Sequence, residues 1–352
     1  MSKKPKYKTA LIGTGRIGFT LGFDRKREQP ASHTMALLKN RRTKLVAACD
    51  NNQPRLNHFH RFVRKPITYI DYSNMFATDK FDIVVIAVNE SSHLDAALVA
   101  IHAKPKLIIL EKPVALNVSD GLKILGEAEK YKVPVLVNHE RRFAEDYKIA
   151  KKYMNSIGDV ISVNARLDSG LRVYSPDEEE TGEYSLLHDG THLVDIVMFL
   201  LEDENSSLEE TKILYNMNMN NVVFDKEKPN VVRFVSANFE SIKCPNVNIS
   251  ISGKSKFFGF EIDVIGTLGR IRIGNGIFEF YRREESKLYT GFYSLAENPK
   301  IKQPKKTKYF SNMVKNAVAF LDGKEELKST LQTGLNTLRV LEEIKNRLKS
   351  YY

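Results

Sequence analysis

The sequence predicts a two-part α/β chain: an N-terminal doubly wound parallel sheet, then an α+β part built on a mostly antiparallel open sheet with C-terminal helices. Three observations predict it. Over residues 7–138, short runs rich in Val and Ile alternate with amphipathic stretches, and the runs lack strict apolar–polar alternation. Strands covered by helices on both faces read this way. From about residue 158 the texture changes to strand patterns joined by turns, with few helices. The length, 352 residues, suits two cores. The expected division is 1–140 and 141–352.

In order, the first six runs are Tyr7–Gly13, Lys44–Asp50, Pro66–Ile70, Asp82–Val88, Lys106–Glu111 and Val133–Asn138. Between them, Ser91–Ala103 and Ser119–Tyr131 have helical spacing behind polar starts. In the second part, Asp159–Leu167, Val231–Glu240, Val247–Ser252, Gly259–Val264, Arg270–Gly274 and Ile277–Tyr281 read as strands. Helix returns at Tyr309–Leu321 and Leu331–Leu348, while Ser169–Glu183 and Ala296–Lys306, charged and Pro-containing, read as loops.

Composition narrows the function classes. No stretch reaches the roughly 18 apolar residues of a membrane helix. The basic start Met1–Lys6 leads into an apolar run broken at Gly13 and Gly15, so no secretory signal is expected. Two cysteines, Cys49 and Cys244, give no disulfide framework and suit a reducing cytoplasm. The net charge of +11 admits an anionic partner or scattered surface lysines. The bases are mostly scattered; the local clusters Arg25-Lys26-Arg27 and Lys302–Lys308 are not interleaved with aromatics. No nucleic acid or membrane partner is therefore expected.

Gly13-Thr14-Gly15-Arg16-Ile17-Gly18 directly follows the first run. Gly13 permits a tight turn, Gly15 leaves room for a pyrophosphate, and Gly18 lets a helix approach the sheet. The helix start at Arg16 and Ile17 offers backbone N–H groups to phosphate. The second run ends in Asp50, whose carboxylate can accept adenosine ribose hydroxyls and repels a 2′-phosphate. This is the pattern of a Rossmann domain binding NAD rather than NADP. Asp50 lies well beyond the usual 20 or so residues from the glycines. An insertion, Phe19–Ser32, explains the distance; it either folds over a ligand or is a solvated loop. Arg55, after Asp50, suggests either NADP tolerance or a helix-surface arginine.

Two further clusters carry chemistry. Glu111-Lys112-Pro113 ends the fifth run, where ligands meet such sheets, and Lys112 can bond a substrate hydroxyl or relay a proton. His188-Asp189-Gly190-Thr191-His192 leads into an apolar helix, where His188, His192 and Asp195 fall at i, i+4 and i+7 on one face. An acid–base reading has His192 take a hydroxyl proton as hydride leaves, oriented by a carboxylate. A metal reading compares the stretch with a His-Glu-x-x-His zinc helix, but Asp replaces Glu and Gly190 weakens the turn, so no metal is expected. Arg141, Arg142 and Arg172 are candidates to hold a uronate or diphosphate.

Together these motifs resemble the glucose–fructose oxidoreductase/inositol dehydrogenase (Gfo/Idh/MocA) family. The resemblance takes in the glycine turn, Asp50, Ala87–His93, Glu111-Lys112-Pro113 and Asn138-His139-Glu140-Arg141-Arg142-Phe143. It continues through Gly190–Asp195, Glu261–Ile273 and the helix from Gly334 to Glu342. It implies an NAD(P)-dependent oxidoreductase acting on a hydroxyl of a sugar, inositol or nucleotide-sugar. Lys112 and His192 would be catalytic, with either Asp189 orienting His192 or His188 changing the proton relay, and Asp195 would contact substrate; His188, Arg142 and Arg172 are further substrate candidates read from the residues. Gly13, Gly15, Arg16, Ile17, Gly18, Asp50, Asn89, His93, Glu111 and Lys112 would face the cofactor. It also implies a cis Lys112–Pro113 bond and homodimers or homotetramers. The chain departs from the pattern at Asn89, where Pro is common, and at His188, where an acid is common. Other readings are a non-catalytic NAD-binding regulator and an NAD-dependent glycosidase.

Overall fold

The computed structural model describes residues 6–202 and 213–351; most of the basic start Met1–Lys6 lies outside them. The chain begins β1 (Tyr7–Ile12), α1 (His33–Lys39), β2 (Thr43–Cys49), α2 (Gln53–Phe62), β3 (Ile67–Tyr69), α3 (Tyr72–Thr78), β4 (Ile83–Ile86), α4 (His93–His102) and β5 (Leu107–Leu110). It continues α5 (Val118–Tyr131), β6 (Val135–Val137), α6 (Glu145–Tyr153), β7 (Val160–Asp168), α7 (Ser185–His188) and α8 (Gly190–Leu201). Then come β8 (Tyr215–Phe224), β9 (Val232–Ser241), β10 (Cys244–Ser252), β11 (Gly259–Gly266), β12 (Gly269–Gly274), β13 (Ile277–Glu285) and β14 (Tyr293–Glu297). Two helices, α9 (Tyr309–Leu321) and α10 (Leu331–Lys349), close the chain.

The chain forms two compact units. The first holds Met1–Ala144 and Lys306–Leu335. Its sheet has strand order β3-β2-β1-β4-β5-β6, every pair parallel. All six expected strands are present. β4 and β5 are buried along their whole length, because helices leave neither face wet. Side chains of Ser32, Asn52, Asp71 and Asn117 cap α1, α2, α3 and α5 by accepting backbone N–H groups. On α9, Phe310, Met313, Val314 and Ala317 form a stripe at helical spacing. They enter the same core as Leu11, Leu45, Val85 and Ile109, which draws 306–335 into this unit.

The second unit holds Glu145–Lys305 and Asn336–Tyr352. Its sheet has order β14-β13-β12-β11-β7-β10-β9-β8. Only β7 and β10 pair in parallel. Two strands, β8 and β14, were not expected. β8 is rich in Asn and mixes half-buried with exposed side chains, β14 is mostly exposed, and both are sheet edges, so neither carries the apolar signal of a buried strand. β14 also moves the start of the expected 296–306 loop beyond Glu297. The stretch read as one helix around His188 and His192 is two: α7 ends at His188, and α8 begins at Gly190 after Asp189. His188 and His192 therefore do not share one uninterrupted helix face. No helix among the described residues is long and apolar enough to cross a membrane.

Candidate functional site

β1 is flanked by β2 and β4, so its carboxyl end is the topological switch point of the first sheet, where ligands bind in such folds. The glycine turn sits there. Gly13 has φ +95°, and a Cβ on it would stand 2.2 Å from the Ala87 carbonyl oxygen. A Cβ on Gly18 would stand 2.0 Å from the Gly13 oxygen. The protein's own backbone thus requires both. Gly15 is different: a Cβ there meets only the Arg55 guanidinium, at 3.9 Å. Among the described residues nothing demands glycine at 15, so the open space suits a pyrophosphate. Arg16 is exposed and Ile17 half-buried. Phe19 N–H donates to the Gly15 carbonyl at 2.9 Å, closing one helical turn. Arg16, Ile17 and Gly18 are first-turn positions, whose N–H groups have no partner within a turn.

Asp50 is buried at the end of β2. Its Oδ2 accepts from the Thr14 amide at 2.8 Å and the Thr14 hydroxyl at 2.9 Å, and its Oδ1 accepts from the Asn52 amide at 2.9 Å. The carboxylate fixes the glycine turn and keeps lone pairs for ribose hydroxyls.

The insertion is not a solvated loop throughout. Phe19 is fully buried and meets Phe23, His58 and Phe59 edge-on. Glu28 accepts from the Thr307 amide at 2.6 Å, the Thr307 hydroxyl at 3.0 Å and the Lys308 amide at 2.8 Å. After it, the His33 amide donates to the Ile17 carbonyl and the Thr34 amide to the Gly18 carbonyl. α1 thereby resumes the helix that the insertion interrupts.

The carboxyl ends of β4 and β5 follow in register: the Ala87 amide bonds the Ile12 carbonyl, and the Glu111 amide bonds the Ile86 carbonyl. Glu111 is buried. Its Oε1 accepts from His33 Nε2 at 2.6 Å and Asn138 Nδ2 at 2.6 Å. Burial alone would raise the Glu111 carboxyl, but the bonds from His33 and Asn138 outweigh it and hold it below its usual range. Lys112 is half-buried, and the Lys112–Pro113 bond is cis, as the resemblance implies. His93 is fully buried, with Nδ1 2.7 Å from the Pro113 carbonyl and Nε2 3.3 Å from the Val88 carbonyl. Burial lowers its imidazole despite these carbonyls. It ties the loop after β4 to the loop after β5. Asn89 is exposed and starts the short turn before α4.

In the second unit, His188 is exposed, Asp189 and His192 are half-buried, and Asp195 is 1% exposed. Thr337 Oγ1 lies 3.4 Å from Asp195 Oδ1. Gly190 is needed at the break between helices: a Cβ would meet Ile251 at 3.1 Å and the Ser185 carbonyl at 3.2 Å. Arg172 Nη1 lies 3.0 Å from Glu178 Oε1, and Tyr174 Oη donates to Glu179 at 2.8 Å. Glu178 and Glu179 of this loop are thus joined within the unit, while Asp177 and Glu180 stay exposed. In the first unit, Arg142 is 1% exposed, as buried as Asp195. Among the described residues, no three His, Cys, Asp or Glu side chains gather to hold a metal ion.

Sequence reasoning missed His33, Asn138, Thr14 and Glu28. Each acts on a partner far along the chain, and a single His or Asn has no local pattern to mark it.

Residues 7–139 match the model of a family described as an oxidoreductase family with an NAD-binding Rossmann fold, GFO_IDH_MocA. The match is confined to this N-terminal stretch, over which the chain is similar to the Gfo/Idh/MocA oxidoreductases. A D-apiose dehydrogenase from Rhizobium rhizogenes is 28% identical over 240 residues, 66% of each chain. An inositol 2-dehydrogenase from Salmonella typhimurium is 22% identical over 207 residues, 57% of this chain and 56% of that one. The chain spans about half to two thirds of the length of the curated relatives it matches. The crystal structure of the WlbA dehydrogenase from Chromobacterium violaceum, in complex with NADH and UDP-GlcNAcA, superposes with TM-score 0.75 at 17% identity. That match covers 99% of this chain and 95% of the other, so the chain shares that fold in both units.

Proposed function

We infer that this protein is an NAD-dependent dehydrogenase that moves a hydride between nicotinamide and a hydroxyl-bearing carbon of a sugar, inositol or nucleotide-sugar. The observation that carries the reading is Gly15, whose missing side chain serves nothing within the chain, beside a buried Asp50 carboxylate. NAD rather than NADP follows from Asp50, since a carboxylate repels a 2′-phosphate. The first unit binds the cofactor through Gly13, Gly15, Arg16, Ile17, Gly18, Asp50 and Asn89. His93 and Glu111 position the loops around Lys112.

A bound nicotinamide would supply the hydride acceptor, held by the first-unit residues named above. Lys112 hydrogen-bonds the reacting hydroxyl, and His192 takes its proton. Asp189 orients His192, while His188 and Asp195 bind substrate. Arg172, already held by Glu178, supports the substrate loop. A pair of free, buried cysteines suits a reducing cytoplasm. Self-association as a dimer or tetramer belongs to the same reading. One face of the second sheet carries a cross-strand polar row, Asn218, Asn238, Asn248, Asn164, Asp263 and Arg272, open to a partner copy. Sedimentation of the purified protein tests it, with a monomer removing this part.

The main test screens polyols, sugars and UDP-sugars for NADH formation. Lys112→Met and His192→Ala should each lower turnover by about a hundredfold or more while NADH still binds. Undiminished turnover in His192→Ala removes its role. Tight NAD binding without turnover on any substrate points to a regulator, and release of free sugar without net NADH to a glycosidase.

A further inference from the structure

Lys112 is the half-buried middle of a tripeptide whose two other residues are buried and held by side chains from elsewhere in the first unit. Before it, Glu111 Oε1 accepts from His33 Nε2 at 2.6 Å and from Asn138 Nδ2 at 2.6 Å. After it, the Pro113 carbonyl stands 2.7 Å from His93 Nδ1. The start of α10 presses on the next residue, where a Cβ on Gly334 would collide with Val114. The backbone on both sides of the lysine is therefore fixed by distant groups.

His33 is an expensive way to fill a core. Its side chain is fully buried and lies edge-on to Phe310 at 5.1 Å. Its Nδ1 is buried without a hydrogen-bond partner, and so is Asn138 Oδ1. Unmatched polar atoms in the interior cost stability, and well-packed apolar residues in place of a buried ionic pair are often as stable or more so. Two half-satisfied donors on one carboxylate oxygen are thus a poor device for stability alone. What they do supply is a fixed direction for Glu111. The same histidine also reaches the glycine turn. Its amide donates to the Ile17 carbonyl at 3.1 Å, and the Thr34 amide and hydroxyl donate to the Gly18 carbonyl at 2.9 Å and 2.6 Å. His33 therefore bonds the glycine turn through its backbone and the Lys112 loop through its side chain. The insertion seats it there. Ser32 caps α1, and Glu28 is held by the Thr307 and Lys308 amides, just before the helix that carries Phe310.

We propose that His33 and Asn138 are positioning residues for Lys112: by holding Glu111 they fix the backbone that carries the lysine relative to the glycine turn. Charge works to the same end. A carboxylate oxygen already filled by two donors has less capacity left for a neighbouring ammonium, so Glu111 competes less with a ligand for Lys112. The part Lys112 plays in turnover rests on the dehydrogenase reading above; the hold on its backbone does not.

The test compares the full native chain with His33→Gln, His33→Asn and Asn138→Ala. Glutamine brings a donor to about where Nε2 stands and asparagine falls short of it, so the two differ in reach and not in polarity. Three quantities are read: kcat and KM on the best substrate among polyols, sugars and UDP-sugars; NADH affinity; and the rate at which acetic anhydride labels Lys112 relative to the other lysines, by mass spectrometry. His33→Asn should lower kcat about tenfold or more while KM and NADH affinity stay within about threefold. It should change labelling at Lys112 alone. His33→Gln should restore most of kcat and the native labelling. Asn138→Ala removes the second donor from the same oxygen and should move kcat and labelling in the same sense; it carries the test should His33→Asn not fold. Native kcat and native Lys112 labelling in these variants overturn the proposal. So does labelling that changes at many lysines together, which marks a general loosening of the fold, or a His33→Gln protein no better than His33→Asn. Changed labelling at Lys112 alone in a protein with no turnover on any substrate leaves the positioning role standing and overturns the dehydrogenase.

Discussion

His33 Nε2 stands 2.6 Å from Glu111 Oε1, both side chains almost fully buried, one at the start of α1 and the other at the end of β5. The pair joins the restart of the interrupted helix to the residue before Lys112. A carboxylate buried this deeply needs its donors, because an unmatched buried charge costs several kcal/mol. His33→Ala should destabilise the protein by about 2 kcal/mol, and His33→Gln by less, since a carboxamide can still donate. Urea unfolding of the three proteins measures this, and equal losses for Ala and Gln would mean the hydrogen bond contributes little.

The glycine turn predicts opposite outcomes at two positions. Gly15→Ala should leave stability within about 0.5 kcal/mol and weaken NADH binding about tenfold or more. Gly18→Ala should destabilise the fold by about 2 kcal/mol or more, because its Cβ would collide with the Gly13 carbonyl. Thermal melts with and without NADH separate the two effects. An unchanged NADH affinity in Gly15→Ala would remove the pyrophosphate from this turn.

Asp50→Asn keeps an oxygen for the Thr14 amide and hydroxyl but removes the charge. The ratio of NADH to NADPH affinity should fall about tenfold. Fluorescence titration with both nucleotides reads it directly, and an unchanged ratio would show that Asp50 serves only the Thr14 contact.

Glu179 gives a pH signature in the second unit. Burial acts to raise its carboxyl, but bonds from Lys349, Tyr174 and Lys345 hold it down at about 2. A depressed carboxyl adds stability that is full above its ordinary value near 4.3 and fades as pH falls toward about 2. The thermal midpoint of the native chain should therefore drop across that acid window by more than that of Glu179→Gln. Parallel pH curves for the two proteins would contradict the assignment.

Much of the site was legible where chemistry and spacing are local. Gly13-Thr14-Gly15 and Asp50 follow strand ends, and strand ends are visible as breaks in Val- and Ile-rich runs. Glu111-Lys112-Pro113 was legible for the same reason. Asp189 was not read as a break, because α7 and α8 are each apolar enough to suggest one continuous helix, and the interruption depends on Gly190 packing against Ile251 and Ser185. Arg142 and Asp195, both read as facing substrate, are each 1% exposed, a burial that no local pattern marks in the chain.

By itself, then, the sequence determined the six parallel strands, their order of chemistry and the glycine turn, since hydrophobic periodicity and backbone sterics act over a few residues. The tertiary structure alone decided that Glu28 grips Thr307, that His33 serves Glu111, and that the basic residues at 25–27 and at 306 and 308 share one anchor. Those contacts join residues 279 and 78 positions apart. A polar pair so distant leaves no periodic trace in the chain. It exists only because two separately determined elements, each burying its own apolar face, come to rest side by side.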